Sequence, residues 1–336
     1  MSFSDVVFLF SFLSLFLRVN TASHNLTIED DPRLLFEDFV AKYGRKYANE
    51  SERLYRFGVF KDSLTRVRAN NEDEPDKPFG ITKFSDWTPD EFKSRLLRYQ
   101  PDATVDERSI RVYQYDRDSR LPAKYDWRDH SPPVVSNVKN QGACGSCWAF
   151  SAVENVESIW ALQGNHTLVN LSVQQVVDCD TVDSGCGGGD TKTAFRYIHK
   201  HGLELASSYP YTASDSNCKF QSNEVVAHID GYEFATRDED EHAMQAYLVN
   251  KAPLSICVDA SSWQDYSGGI LTRQCGRLLD HCVMITGYDT VSSHQPYWII
   301  RNSWGETWGE EGYLRVVMFE DKCGLAQEAT SSFIST

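Results

Sequence analysis

The residues best able to do covalent chemistry gather around Cys147, in the run Gln141-Gly142-Ala143-Cys144-Gly145-Ser146-Cys147-Trp148-Ala149-Phe150. A thiol is a weak nucleophile until it loses its proton, so a reactive cysteine needs surroundings that favour the thiolate. Cys147 opens an apolar run to Leu162, with Ala149, Ala152, Val153, Val156 and Trp160 facing inward and Gly164 as a stop. Its sulfur would therefore sit at a helix N-terminus, where the backbone dipole favours an anion. Far downstream stand His281, in Asp280-His281-Cys282-Val283, and Asn302, in Asn302-Ser303-Trp304-Gly305; the first is 134 residues after the thiol and the second 21 further on. Singly, each has a plainer reading. A Cys-x-x-Cys pair is more often a disulfide, a zinc ligand pair or a redox couple, a lone His is usually structural, and Asn-Ser-Trp-Gly can be only a turn.

The surroundings of these residues narrow the choice. All nine cysteines lie between Cys144 and Cys323, which in an oxidising compartment suggests disulfides, with at least one thiol left over by the odd count. Val6 to Leu17 is a twelve-residue apolar run, short for a bilayer span and suited to a signal-peptide core, with Ala22 as the last residue removed, although no Lys or Arg precedes it. Sequons begin at Asn25, Asn49, Asn165 and Asn170, in keeping with export. A formal charge of −15 argues against a nucleic-acid binder. Neither an HExxH string nor a zinc-spaced cysteine set occurs, so no metal is expected. The glycine cluster from Gly185 to Gly189 lacks the Lys-Ser/Thr of a phosphate loop, and no cofactor is implied.

The elements that must position this chemistry fall into two regions. Asp31-Pro32 can cap a helix whose Leu35, Phe36, Phe39, Val40 and Tyr43 recur at helical spacing before Gly44. A second helix is predicted from Glu52 to Asn71, with Glu52, Arg56, Phe60, Ser63, Val67 and Asn71 on one face and Glu52 placed to pair with Arg56. Residues 100–120 have no apolar period and read as an exposed linker. Beyond Leu121 come the nucleophile helix and then strands at His281–Tyr288, Tyr297–Arg301 and Gly312–Met318, so a helical layer precedes a β layer.

Cys-Gly-Ser-Cys-Trp, followed at these distances by His281 and Asn302 and preceded by Gln141, resembles the papain-like cysteine peptidases, closest in pattern to the cathepsin L and F group. The resemblance covers nearly the whole chain after the leader. It implies an α+β fold of two lobes, a helical left lobe and a β-barrel-like right lobe, preceded by a mainly helical prosegment. It divides the chain into a signal peptide (1–22), an inhibitory propeptide (23–120) and a mature peptidase (121–336). Cys147 would be the nucleophile, His281 its base and proton donor, Asn302 the group that orients the imidazole, and Gln141 an oxyanion donor beside the Cys147 amide. In papain itself the thiol titrates at about 3–4, and a comparable thiolate–imidazolium pair is implied here.

The same resemblance assigns the remaining residues. Cys144–Cys186, Cys179–Cys218 and Cys275–Cys323 would be bridges, and a Cys144–Cys186 bridge would exclude a thiol–disulfide oxidoreductase. Gly188, Gly189, Asp190, Cys257, Asp280, Cys282, Trp304 and Glu328 would line the substrate cleft, with Glu328 at the floor of the pocket for the P2 side chain. Cys257 and Cys282 are expected on neighbouring walls, as two free thiols in preference to a fourth bridge, which a Cα separation of about 5.5 Å with converging Cβ vectors would favour instead. An unpartnered Glu328 would welcome a P2 arginine. Glu52, Arg56, Phe60 and Asn71, with Ser63 and Val67 in variant positions, fit the propeptide helix; Gly80, Phe84 and Asp86, with Thr82 for the usual Asn, fit its second motif. The implied protein is an acid-activated zymogen, cut between Arg117 and Ala123, whose Glu52 and Asp86 carboxylates sense the acid. No occluding loop is found, which favours endopeptidase action. Expected partners are protein and peptide substrates, its own propeptide and cystatin-like inhibitors, with a glycosylated, monomeric, lysosomal or extracellular product free of membrane and nucleic acid.

Overall fold

The structure, a computed structural model, describes residues 26–335; the apolar leader, Ala22 and the Asn25 sequon lie outside them. Three helices form the N-terminal segment: α1 (Pro32–Lys42), α2 (Glu50–Asn71) and α3 (Pro89–Leu96). Asp31 caps α1 through the Arg33 amide, and Thr88 with Glu91 makes a reciprocal capping box on α3. Leu35, Phe36 and Phe39 of α1 pack on Phe60 and Leu64 of α2 as a small separate core. The face of α2 read from the sequence is the docking face, since Phe60, Ser63, Val67 and Asn71 are all buried. Arg56 departs from expectation. It reaches Glu91 of α3 in two hydrogen bonds (2.7 and 3.0 Å), while Glu52 turns back to the Ala48 amide at 2.6 Å.

The rest of the chain forms two layers. Helices α4 (Cys147–Leu162), α5 (Val173–Cys179) and α6 (Thr191–His201) share one core, built on Trp148, Val153, Val156, Val176, Phe195 and Ile198. Helix α7 (Glu241–Asn250) lies on the sheet. The strands are β1 (Lys124–Asp126), β2 (Leu203–Glu204), β3 (Val225–Ala227), β4 (Gly231–Thr236), β5 (Leu254–Val258), β6 (Ile270–Leu271), β7 (His281–Asp289), β8 (Tyr297–Arg301), β9 (Tyr313–Val317) and β10 (Glu328–Phe333). The large sheet runs β4-β10-β5-β7-β8-β9-β6, with β1 added on β7 and only the β6–β9 pair parallel. Tyr288, Trp298, Ile300, Leu314 and Val316 fill its core.

Helix α4 joins the layers. From Cys147 to Ile159 every residue is buried, including Glu154, Asn155 and Glu157, and each of these side chains has a partner, although Glu154 Oε1 is left without a hydrogen bond. Glu154 meets Arg301 of β8 at 2.8 Å, Asn155 bonds Pro253 O and Ser332, and Glu157 accepts from Ser136 Oγ at 2.6 Å and the Leu171 amide at 2.7 Å.

The N-terminal segment is docked on the β layer by polar contacts. Asp265 accepts from Arg66 (2.5 Å) and Ser63 (3.1 Å), so the variant Ser63 is a docking group. Thr82 donates to Gln264 O at 2.6 Å. A Cβ on Gly80 would lie 2.6 Å from Ser267 Oγ, which explains the glycine where the backbones meet. Glu74 accepts from the amides of Thr272, Arg273 and Gln274 and from the Thr272 hydroxyl. Residues 100–120 are polar and mostly exposed, yet they follow the surface: Val112 bridges Phe234, and Tyr113 packs edge-on against Tyr247.

Candidate active site

Cys147 is the first residue of α4. Ser146 sits at the cap position but gives its hydroxyl to Tyr211 (2.6 Å) and makes no side-chain cap. Ala149 N donates to Ser146 O at 3.0 Å, which leaves the Cys147 and Trp148 amides uncapped beside the thiol, the arrangement that favours an anion there. His281 begins β7 and Asn302 follows directly on β8, the neighbouring strand, which brings two residues from distant sequence into contact. His281 Nε2 lies 2.8 Å from Asn302 Oδ1. Nδ1 has no hydrogen-bond partner among the described residues and is the ring nitrogen left for the thiol. The Trp304 ring stacks on the imidazole with centroids 4.8 Å apart and planes 28° apart, and it excludes water from the His–Asn contact.

Gln141 is fully buried, and its two ends are distinguished by their partners. Oε1 accepts from Ser303 Oγ (2.8 Å) and Trp304 Nε1 (3.1 Å), so the amide nitrogen must face the cleft. There Nε2 donates to Cys144 O at 2.8 Å and to the Leu96 carbonyl of the N-terminal segment at 3.3 Å.

That segment runs through the cleft. Gly189 pairs with it at both backbone groups, receiving at its carbonyl the Gln100 amide (3.0 Å) and giving its amide to Arg98 O (3.2 Å). Tyr99 N donates to Asp280 O at 2.9 Å. Gly188 has φ +125°, and a Cβ there would come within 2.3 Å of Arg98 O, so the cluster permits a backbone approach that any side chain would block. With the cleft covered, burial pushes the Cys147 thiol up to about 11, against the pull of nearby backbone groups of Cys282, Arg98 and Trp148. Burial likewise pushes His281 down to about 4. The neutral pair is thus favoured beneath the segment, the reverse of the ion pair expected from the sequence.

All nine cysteines lie among the described residues, and Cys147 is the one free thiol. Cys144–Cys186, Cys179–Cys218 and Cys275–Cys323 are bridged. Cys257 and Cys282 are bridged too, which corrects the expectation of two free thiols. They face each other in the β5–β7 register with Cα atoms 4.0 Å apart, close enough for cross-strand side chains to meet.

This bridge, with Leu279, packs around the Tyr99 ring. Glu328 opposes Cys257 across β5–β10 and is 7% exposed, so it is no solvated surface charge. Nor is it unpartnered, as the sequence reading had it. Lys192 Nζ lies 2.5 Å from Glu328 Oε1 and 3.2 Å from Asp190 Oδ2. Burial raises the Glu328 carboxyl to about 7 even with Lys192 opposing. Asp280 also sits near about 7, chiefly through burial. Sequence reasoning missed Lys192, Tyr99 and Glu74, because each acts through a contact that no local pattern announces. Among the described residues no group of three or more His, Cys, Asp or Glu could hold a metal.

Comparison with known proteins agrees with this geometry. The papain family of cysteine proteases matches residues 121–333, and the cathepsin propeptide inhibitor domain matches residues 36–92. A cysteine proteinase of Trypanosoma brucei brucei is 38% identical over 321 residues, covering 94% of this chain and 70% of that one. Fruit bromelain of Ananas comosus is 36% identical over 326 residues, 94% of this chain and 91% of that one. Among solved structures, digestive procathepsin L2 proteinase from Tenebrio molitor larval midgut superposes with a TM-score of 0.83 at 31% identity, covering 90% of this chain and all (100%) of that one. A recombinant stem bromelain precursor gives a TM-score of 0.80 at 34% identity, over 91% and 100% respectively.

Proposed function

Because this chain belongs to the papain family of cysteine proteases and carries a cathepsin-type propeptide inhibitor domain, we propose that it is an endopeptidase acting through a Cys147 thioester and made as an acid-activated zymogen. The observation that carries the reading is the His281–Asn302 contact under Trp304, which leaves one imidazole nitrogen for the only free thiol. In the open cleft Cys147 gives its proton to His281, and the thiolate attacks the scissile carbonyl. The Gln141 amide and the Cys147 backbone N–H receive the negative oxygen, a contribution of roughly 10²–10³ in rate for such a donor. His281 then protonates the leaving amine, the thioester remains, and water activated by the same imidazole releases the acid. Gly188, Gly189 and the Asp280 carbonyl support the substrate backbone, and Cys257, Cys282 and Glu328 surround the P2 side chain, with Asp190 at the rim of that pocket.

The division into leader, propeptide (to residue 120) and mature enzyme follows the family pattern, with cleavage between Arg117 and Ala123. Export to a lysosomal or extracellular destination is supported by the leader and by the exposure of Asn49, Asn165 and Asn170 as glycan acceptors. Protein and peptide substrates and cystatin-like inhibitors remain the expected partners of a monomeric product.

The acid response must be reassigned within the propeptide. Burial raises the Asp86 carboxyl above its ordinary value despite Arg45, so acidification does not loosen the complex at that residue. Glu91 is shifted the other way, held below its ordinary 4.5 by the hydrogen bond from Arg56. The stability Glu91 contributes is complete above about pH 4.5 and is lost as pH falls through its depressed value.

The test is an epoxysuccinyl-type thiol reagent on processed enzyme. Stoichiometric labelling of Cys147 with loss of peptidase activity is expected, together with an inactive but folded Cys147→Ala protein. Turnover by purified Cys147→Ala would sink the mechanism.

A further inference from the structure

The cleft as read above contains a buried cation that its chemistry does not use. Lys192 lies in the first turn of α6 with its side chain 1% exposed. Lysine is almost never buried so completely unless paired. Its ammonium lies 2.5 Å from Glu328 Oε1, 3.2 Å from Asp190 Oδ2 and, in the precursor, 3.4 Å from Glu107 Oε1. Between this cluster and the Cys257–Cys282 bridge sits the Tyr99 ring, with its hydroxyl within reach of Glu328. The pocket therefore has a sulfur-lined apolar wall and a charged far end.

A free carboxylate at that end would receive an arginine through two parallel N–H···O bonds, one to each oxygen. Here Lys192 already holds Oε1, and an incoming guanidinium would have to lie against its ammonium. Asp190 supplies no substitute, because Oδ1 caps α6 by accepting the Lys192 amide at 2.9 Å and Oδ2 is engaged by Lys192 Nζ. One oxygen, Glu328 Oε2, is left for a single donor. A phenol matches that vacancy with its hydroxyl and fills the sulfur-walled space with its ring, the space the Tyr99 ring occupies here.

We propose that Lys192 is a specificity-determining residue that closes the P2 pocket to basic side chains and turns it toward tyrosine. The proposal rests on the protease reading, so the experiment separates the two. Processed enzyme is titrated with the epoxysuccinyl reagent to fix the active concentration, then assayed above about pH 7, where Glu328 is ionised, on fluorogenic dipeptides with Tyr, Phe, Leu or Arg at P2 and one common P1 residue. The expected kcat/KM for Tyr exceeds that for Phe by about tenfold, the scale of one hydrogen bond to a charged acceptor. Arg should reach roughly a hundredth of the Tyr value or less. Lys192→Met, which keeps the length and removes the charge, should raise Arg relative to Phe by about tenfold or more by freeing both oxygens of Glu328. Glu328→Gln, with Lys192 in place, should bring the Tyr-to-Phe ratio toward unity. Wild-type turnover of Arg equal to that of Tyr, or an unmoved Arg-to-Phe ratio in Lys192→Met, overturns the assignment. Should Lys192→Met not fold, the wild-type panel and Glu328→Gln decide the question alone. Absence of any titratable thiol overturns the protease reading and this one together.

Discussion

At Cys147 the covered cleft and the reactive cleft demand opposite protonation states of the same two groups. Burial beneath Leu96–Gln100 raises the thiol to about 11 and lowers His281 to about 4, so each prefers to be uncharged. The propeptide thus blocks the site and also removes the water that would support a charged pair. A pH profile of alkylation should reveal this. In intact precursor, labelling of Cys147 by iodoacetamide should be slow near neutrality and climb only as pH rises toward about 11, whereas processed enzyme should label readily in acid. Mass spectrometry of the Cys147 peptide makes the comparison, and equal rates for the two forms near neutral pH would contradict it. Cys147, His281, Asn302 and Gln141 could be picked out as candidates because each sits in a short distinctive string, and the fold brings His281 to Asn302 and Gln141 to Trp304. Lys192 could not be picked out, since its meaning depends on a β10 residue 136 positions away.

Among the elements, regular periodicity carried well and cross-element partners did not. The docking face of α2 and the span of β8 could be read from spacing because burial on one face leaves a period in the sequence. Arg56 was assigned to Glu52 on its own helix, yet α3 offers Glu91, whose two oxygens each take one guanidinium N–H, and it wins as a two-pronged partner. The Cys257–Cys282 bridge was likewise illegible, because it is set by the β5–β7 register and not by either strand alone. Residues 100–120 are exposed as read, but their path was not legible, because Val112 pairs with Phe234 on a surface the chain makes later. The α2–α3 clasp yields a direct prediction. In Glu91→Gln the capping box on α3 is retained, since Gln serves there, while the charge on which Arg56 depends is lost. Autoprocessing of that precursor, followed by gel over a pH series, should begin about half a unit or more above the wild-type onset. Onset at an unchanged pH would mean that the acid response lies elsewhere.

For the molecule as a whole, the order of a helical layer before a β layer followed from the helix and strand patterns and the two-lobe fold from the family resemblance, whereas the way the layers are fastened did not. Helix α4 is stitched to the sheet by the Glu154–Arg301 pair, with side chains 2% and 0% exposed, and by Ser151 and Asn155 bonding across to Ser255 and Ser332. Removing one partner of such a buried pair costs about 3–5 kcal/mol, so the seam resists parting. The jaws of the cleft are in that sense welded, and release of the propeptide is expected to change the occupant with little change of jaw. Motion should then be partitioned sharply. Amide hydrogen exchange should find α4, β7 and β8 among the slowest segments, at nearly equal rates before and after processing, while α1 to α3 exchange earlier by local release. Faster exchange along α4 in the processed enzyme would show that the propeptide had been bracing a hinge. If the seam holds, a competitor for the cleft need only match a fixed mould, and its residence time will be set by its own flexibility.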